Sequence, residues 1–119
     1  MENDRVALGS AGEDAAARWY EERGYQVVAR NWRCRIGELD LVVTRGDLLV
    51  ICEVKTRAGL NFGGGYEAVT AKKQAKLRAV AEAMLSSMRG PPRSIRFDVA
   101  SVTSESAGGV AVHVFDDAF

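Results

Sequence analysis

The chain has 119 residues, no formal net charge and 47% apolar residues, which suits one domain spanning 1–119 with a real core and leaves too little for two. Two cysteines without Cys-x-x-Cys spacing and a single histidine argue against a disulfide framework and a zinc site. No apolar run reaches transmembrane length, and Met1-Glu2-Asn3-Asp4-Arg5 lacks the apolar core of a signal peptide, so a cytoplasmic protein with no membrane partner is expected.

Ser10-Ala11-Gly12-Glu13 has the form of a capping box and predicts a helix starting at Ser10. Ala15, Ala16, Trp19 and Tyr20 fall on one face of it, and Gly24 suits its C-terminal stop. Tyr25 to Arg30 reads as a first strand, and Asn31 to Ile36 as a connection carrying Arg33, Cys34 and Arg35. Gly46-Asp47 lies between two strand-like runs, the signal for a two-residue hairpin turn. Residues 58–66 read as a glycine-rich loop without the spacing of a phosphate-binding loop. A second helix is predicted from about Thr70 to Met88, burying Ala71, Ala75, Val80, Ala81, Met84, Leu85 and Met88, and Gly90-Pro91-Pro92 ends it. Ser94 to Val102 and Val110 to Phe115 read as strands four and five, joined by a turn from Glu105 to Gly109. The order αβββαββ describes an α/β (α+β) domain, a mixed sheet flanked by helices.

The chemistry concentrates in the hairpin, from Gly37 to Arg57. Glu38, Asp40, Glu53 and Lys55 are embedded there in apolar sequence, where charges are costly unless paired or bound to a metal. With Arg45 opposite Leu48, counting outward sets Asp40 opposite Glu53 and Glu38 opposite Lys55. The other face would carry Leu39, Leu41, Val43, Val50, Cys52 and Val54. Two carboxylates about 5 Å apart repel by roughly 3 kcal/mol at an effective dielectric of about 20, which a shared proton, a cation or a divalent metal must offset. Oxygen ligands with open positions suit Mg²⁺ or Mn²⁺. A lysine beside such an ion can orient a water or stabilise charge on a phosphate. The competing reading is an exposed cross-strand pair of Glu38 with Lys55, and solvated carboxylates at a strand end.

Charge is unevenly spread. Arg30, Arg33 and Arg35 precede the hairpin, and Lys72, Lys73, Lys76, Arg78, Arg89, Arg93 and Arg96 crowd a segment whose only acid is Glu82. A basic surface for nucleic acid and an ordinary solvated helix face look alike at this level. His113 has no second histidine to join it and reads as a strand residue.

Asp40, then twelve residues, then Glu53-x-Lys55 on a hairpin within this element order resembles the restriction-endonuclease-like fold with its PD-(D/E)xK signature, to which archaeal Holliday-junction resolvases are similar. The chain is more closely similar to the YraN-like family, an uncharacterised bacterial group to which endonuclease activity is ascribed. The matching pieces are Gly12-Glu13, Asn31-Trp32-Arg33-Cys34, Gly37-Glu38-Leu39-Asp40-Leu41 and Val50-Ile51-Cys52-Glu53-Val54-Lys55-Thr56-Arg57, with Ala68-Val69, Lys73 and Arg96-Phe97-Asp98-Val99 as weaker ones. Leu39 stands where the name-giving proline would be.

The resemblance implies a divalent-metal-dependent endonuclease acting on nucleic acid, with DNA favoured over RNA and branched or structured forms as candidate substrates. It implies Mg²⁺ or Mn²⁺ held by Asp40 and Glu53, with Lys55 positioning or activating the water. Glu13 would match the helical carboxylate that some such enzymes add, against its capping role, and Glu38 would act as a partner of Lys55. Arg33, Arg35, Arg57, Lys72, Lys73 and Lys76 are candidates for backbone contacts with nucleic acid. The alternatives are a catalytically silent nucleic-acid-binding module of the same fold, and an interaction protein whose hairpin charges are structural. A homodimer is one option, since paired incisions need paired sites.

Overall fold

The computed structural model describes residues 2–58, 69–105 and 108–119. Helix α1 (Glu2–Glu21) leads into β1 (Gln26–Arg33), β2 (Glu38–Arg45) and β3 (Leu48–Ala58); α2 (Ala71–Ser86) then precedes β4 (Ser94–Ser104) and β5 (Val110–Phe115). The strands lie in the order β1-β2-β3-β4-β5 in one sheet. Only β3 and β4 run parallel, as the α2 crossover requires, and the other neighbours are antiparallel. The fold is mixed α+β, with a five-stranded mixed sheet and two helices.

Each helix covers one face. Ala15, Ala16, Ala17 and Tyr20 of α1 pack on Leu41, Val43, Val50, Cys52, Ala100 and Val102. Leu77, Val80, Ala81 and Met84 of α2 pack on Leu39, Val42, Leu49, Ile51, Phe97 and Val99. A core on both faces explains why β2, β3 and β4 are apolar almost throughout rather than in simple alternation.

Several expectations are met by local chemistry. Gly46, at φ 61°, and Asp47 form the turn, with Arg45 paired to Leu48. Thr70 caps α2 by accepting from the Lys73 N–H at 3.2 Å. Gly24, at φ 87°, closes α1 through bonds from the Gly24 N–H to the Glu21 carbonyl and from the Tyr25 N–H to the Tyr20 carbonyl, a Schellman arrangement.

Others are corrected. Helix α1 is already running at Ser10, so Ser10–Glu13 is helix interior. Glu13 turns its carboxylate to Asn31, whose side-chain amide donates to Oε1 at 3.0 Å, rather than back to the backbone of Ser10. Strand β1 continues to Arg33, because Trp32 and Arg33 pair with Leu39 and Glu38. Ala71 and Ala75 are exposed, and Leu77 takes the inward position on α2 instead. Beyond Ala58, the glycine-rich loop expected over 58–66 lies outside the described residues, as do Ala68 and part of the turn expected from Glu105 to Gly109.

A buried polar network ties α1 to β4. The Asp98 carboxylate is fully buried and accepts from the Tyr20 hydroxyl at 2.6 Å, from Arg96 Nε and Nη2 at 2.8 and 3.0 Å, and from the Asp117 N–H at 3.0 Å. The Tyr25 hydroxyl accepts from Arg96 at 3.3 Å. Satisfied in this way, a charge can sit in the core without a severe penalty.

Candidate functional site

The hairpin parts where its charges begin. Pairing of β2 with β3 runs from Arg45↔Leu48 to Leu41↔Cys52, while pairing of β2 with β1 continues to Arg33↔Glu38. Beyond Leu41, β2 therefore follows β1 away from β3. Leu39 and Leu41 consequently face opposite helices, whereas strict alternation expects one shared face. The Val54 N–H, with no backbone partner on β2 at that point, donates to Asp40 Oδ2 at 2.9 Å. Asp40 thus closes the ladder with its side chain.

The gap opens into a cavity of about 490 Å³ between the sheet and α2. Glu38, Asp40 and Glu53 line it from the sheet, and Thr70, Lys72, Lys73 and Lys76 from the first turns of α2. Asp40 and Glu53 therefore share one cavity, although the ladder does not set them directly opposite. Glu38 is not opposite Lys55, because the register that would pair them ends at Leu41. Its carboxylate accepts instead from Arg33 Nε at 2.7 Å across β1 and β2.

Lys55 lies two residues beyond Glu53 and so on the same face of β3, with Arg57 two further on. Among the described residues lining the cavity Lys55 is not included. Arg35 is exposed in the β1–β2 connection. Glu13, besides its bond from Asn31, stands 3.7 Å from Arg30, whose guanidinium is 2.7 Å from Asp14. Asn31 holds this position at φ 51°, a left-handed conformation that asparagine tolerates better than most residues.

The electrostatics single out Asp40. Burial pushes its carboxyl up to about 6, and the negative charge of Glu53 adds to that. The Val54 N–H pulls the other way, while Glu13 and Glu38 push weakly upward. The hydrogen bond to Glu53 raises the Lys73 ammonium above the usual lysine range. Its Nζ is 3.0 Å from Glu53 Oε1.

Because the folded protein holds the Asp40 proton more tightly than the unfolded chain, ionisation of Asp40 opposes folding. The penalty is complete above about 6 and disappears as the pH falls below the ordinary value of 3.8. Asp40→Asn keeps an oxygen for Val54 and removes the charge. In metal-free buffer at pH 8 it should raise the thermal midpoint by about 3–8 °C, and near pH 4 the two proteins should melt together. Scanning calorimetry at both pH values checks this.

Among the described residues no three histidine, cysteine or carboxylate side chains converge on one point as a finished metal cage. Two carboxylates facing one cavity, one carrying an unfavourable charge, do fit a hard cation that completes its shell with water and phosphate oxygens. Mg²⁺ is commonly bound by one or two carboxylates in this way.

By its sequence position Lys73 reads as a nucleic-acid contact, and no local signal shows that it reaches Glu53. Only the α2 crossover brings those residues together. Asp98 and Tyr20, 78 positions apart, were equally out of reach of local spacing. His113 stacks on Phe115 with centroids 4.3 Å apart, as a strand residue. No helix among the described residues is long and apolar enough to cross a membrane.

A family profile described as "Uncharacterised protein family UPF0102" matches residues 12–102. The chain is similar to a UPF0102 protein of Parafrankia sp. (strain EAN1pec), with 50% identity over 105 residues covering 88% of this chain and 89% of that protein. A UPF0102 protein of Nocardia farcinica is 50% identical over 99 residues, 83% of this chain and 78% of the other. One from Pelotomaculum thermopropionicum is 41% identical over 120 residues, covering both chains completely.

Proposed function

The chain belongs to the uncharacterised family UPF0102, and from that premise and the cavity geometry we propose that it is a divalent-metal-dependent nuclease acting on DNA. One observation carries the reading. Asp40 and Glu53, whose charges oppose one another, face the same cavity as three lysines from the first turns of α2. A surface of that kind has uses for a cation between its carboxylates and for a phosphate beside its amines. Element order and the Asp40…Glu53-x-Lys55 spacing support a restriction-endonuclease-like assignment of the sheet.

In this reading Asp40 and Glu53 would hold Mg²⁺ or Mn²⁺, which when bound supplies Lewis acidity to a phosphodiester and acidifies a water. The Val54 N–H fixes the Asp40 carboxylate and so limits the freedom it must lose on binding. Lys55 orients the attacking water or stabilises charge gathering on the phosphate. Glu13 stands outside the cavity lining, held by Asn31 and Arg30, and contributes negative potential. Lys72 and Lys76 meet backbone phosphates at the cavity mouth. Arg33, Arg35 and Arg57 extend that contact, Arg33 after exchanging Glu38 for phosphate. Such contacts position a strand without reading its bases.

The test is a panel of single-stranded, duplex, flap and four-way DNA incubated with Mn²⁺ or Mg²⁺. Cleavage of at least one form is expected, together with a metal-dependent rise in thermal stability. Silence across the panel in a protein that binds metal would make the chain a non-catalytic nucleic-acid-binding module. Affinity for DNA that ignores salt would overturn the phosphate contacts.

A further inference from the structure

An ion pair joins helix to sheet inside the cavity. Lys73 Nζ stands 3.0 Å from Glu53 Oε1, on a glutamate whose side chain is only 12% exposed. The backbone of Lys73 is pinned, because its N–H is bonded to the Thr70 cap. Its side chain is not, being 48% exposed and carried on a four-carbon stem. The ammonium therefore neutralises Glu53 from an anchored base with a movable head.

A lysine and a divalent ion on one carboxylate repel each other, and Lys73 already holds Glu53 Oε1. An ion that takes this oxygen displaces the ammonium, whose half-exposed side chain is free to turn away. Lys72 and Lys76 line the same cavity, so the head swings toward a region already positive. A bound anion makes that position favourable.

Resting on the metal-centre reading of Asp40 and Glu53, we propose that Lys73 is an exchangeable counter-ion: it holds Glu53 while no metal is bound and turns to a backbone phosphodiester when metal displaces it. Metal then liberates a phosphate-binding cation, and phosphate stabilises the displaced lysine. The two ligands consequently help each other bind, to the same extent in both directions. A nucleic acid meeting the metal-free protein finds one cation fewer.

The experiment compares the full chain with Lys73→Met, which keeps the stem and removes the charge. Calorimetric titration with Mn²⁺ reads metal affinity, and fluorescence anisotropy of a labelled DNA duplex, with and without Ca²⁺, reads phosphate binding. Lys73→Met should bind Mn²⁺ about tenfold tighter, within the range usual for coupled sites. Its DNA affinity should fall only in the metal-loaded form, with the salt slope reduced there by about one. Lys72→Met, which has no carboxylate partner among the described contacts, should weaken DNA binding equally with and without the ion.

Unchanged or weaker Mn²⁺ binding by Lys73→Met overturns the exchange, and so does a salt slope altered equally in both forms. If the parent protein itself takes up no Mn²⁺, the metal-centre reading fails instead, and Lys73–Glu53 is a structural ion pair. The two failures are thereby distinguishable.

Discussion

Replacing Lys55 with alanine should reduce cleavage of the susceptible DNA by about 10²–10⁴-fold and leave both the fold and the affinity for Mn²⁺ within twofold of the parent. The argument is positional. Lys55 shares the face of β3 that carries Glu53, two residues further along, so its amine is directed to the same side of the sheet as the carboxylates. It is half-buried rather than fully buried, so its truncation removes little from the core. The effect should therefore appear in the chemical step rather than in stability or KM. Single-turnover cleavage, with thermal melting as the control, measures this. A Lys55→Ala protein that cuts at the parental rate would remove Lys55 from the reaction. Lys55→Arg should not restore full activity, because a planar guanidinium cannot replace a compact ammonium in positioning a water.

The largest effect on stability is expected far from that chemistry. Asp98→Ala should destabilise the domain by about 3–5 kcal/mol, the usual consequence of breaking a buried charge pair from one side. The loss leaves the fully buried Tyr20 hydroxyl with only the weakly bonding Cys52 thiol, and Arg96 with Tyr25 as its remaining partner in this network. It also frees the Asp117 N–H, which pins the chain beyond β5 against β4. With a urea dependence of roughly 1–3 kcal/mol/M, the unfolding midpoint should fall by about 1 M or more. Asp98→Asn retains the shape and should fall between the two. A midpoint for Asp98→Ala within about 0.5 M of the parent would show that the network is not a principal support of the fold.

Much of this architecture is visible in the sequence because local and global signals agree. The Gly46-Asp47 turn sets the hairpin register, Thr70 caps α2, and Ser94 and Val110 open the last two strands where expected. The partition of the hairpin is not visible. Leu39 and Leu41 are both apolar, so nothing at that point distinguishes a strand that keeps its register from one that follows its other neighbour. Ser10–Glu13 misleads for a related reason, since a serine three residues before a glutamate occurs in helix interiors as well as at their starts. The partners of Lys73 and Asp98 are not legible, because only the α2 crossover or the α1–β4 packing brings them near.

The parting of β2 from β3 has a wider consequence. An aspartate that closes a ladder with its own side chain stands at a seam between two parting strands. Its charge registers Glu13 from the α1 layer and Glu53 on the α2 side together. Alterations at Glu13 on α1 or at Glu53 on β3 should therefore retune the acidity of one carboxyl, so that helix and sheet can be adjusted against a common centre.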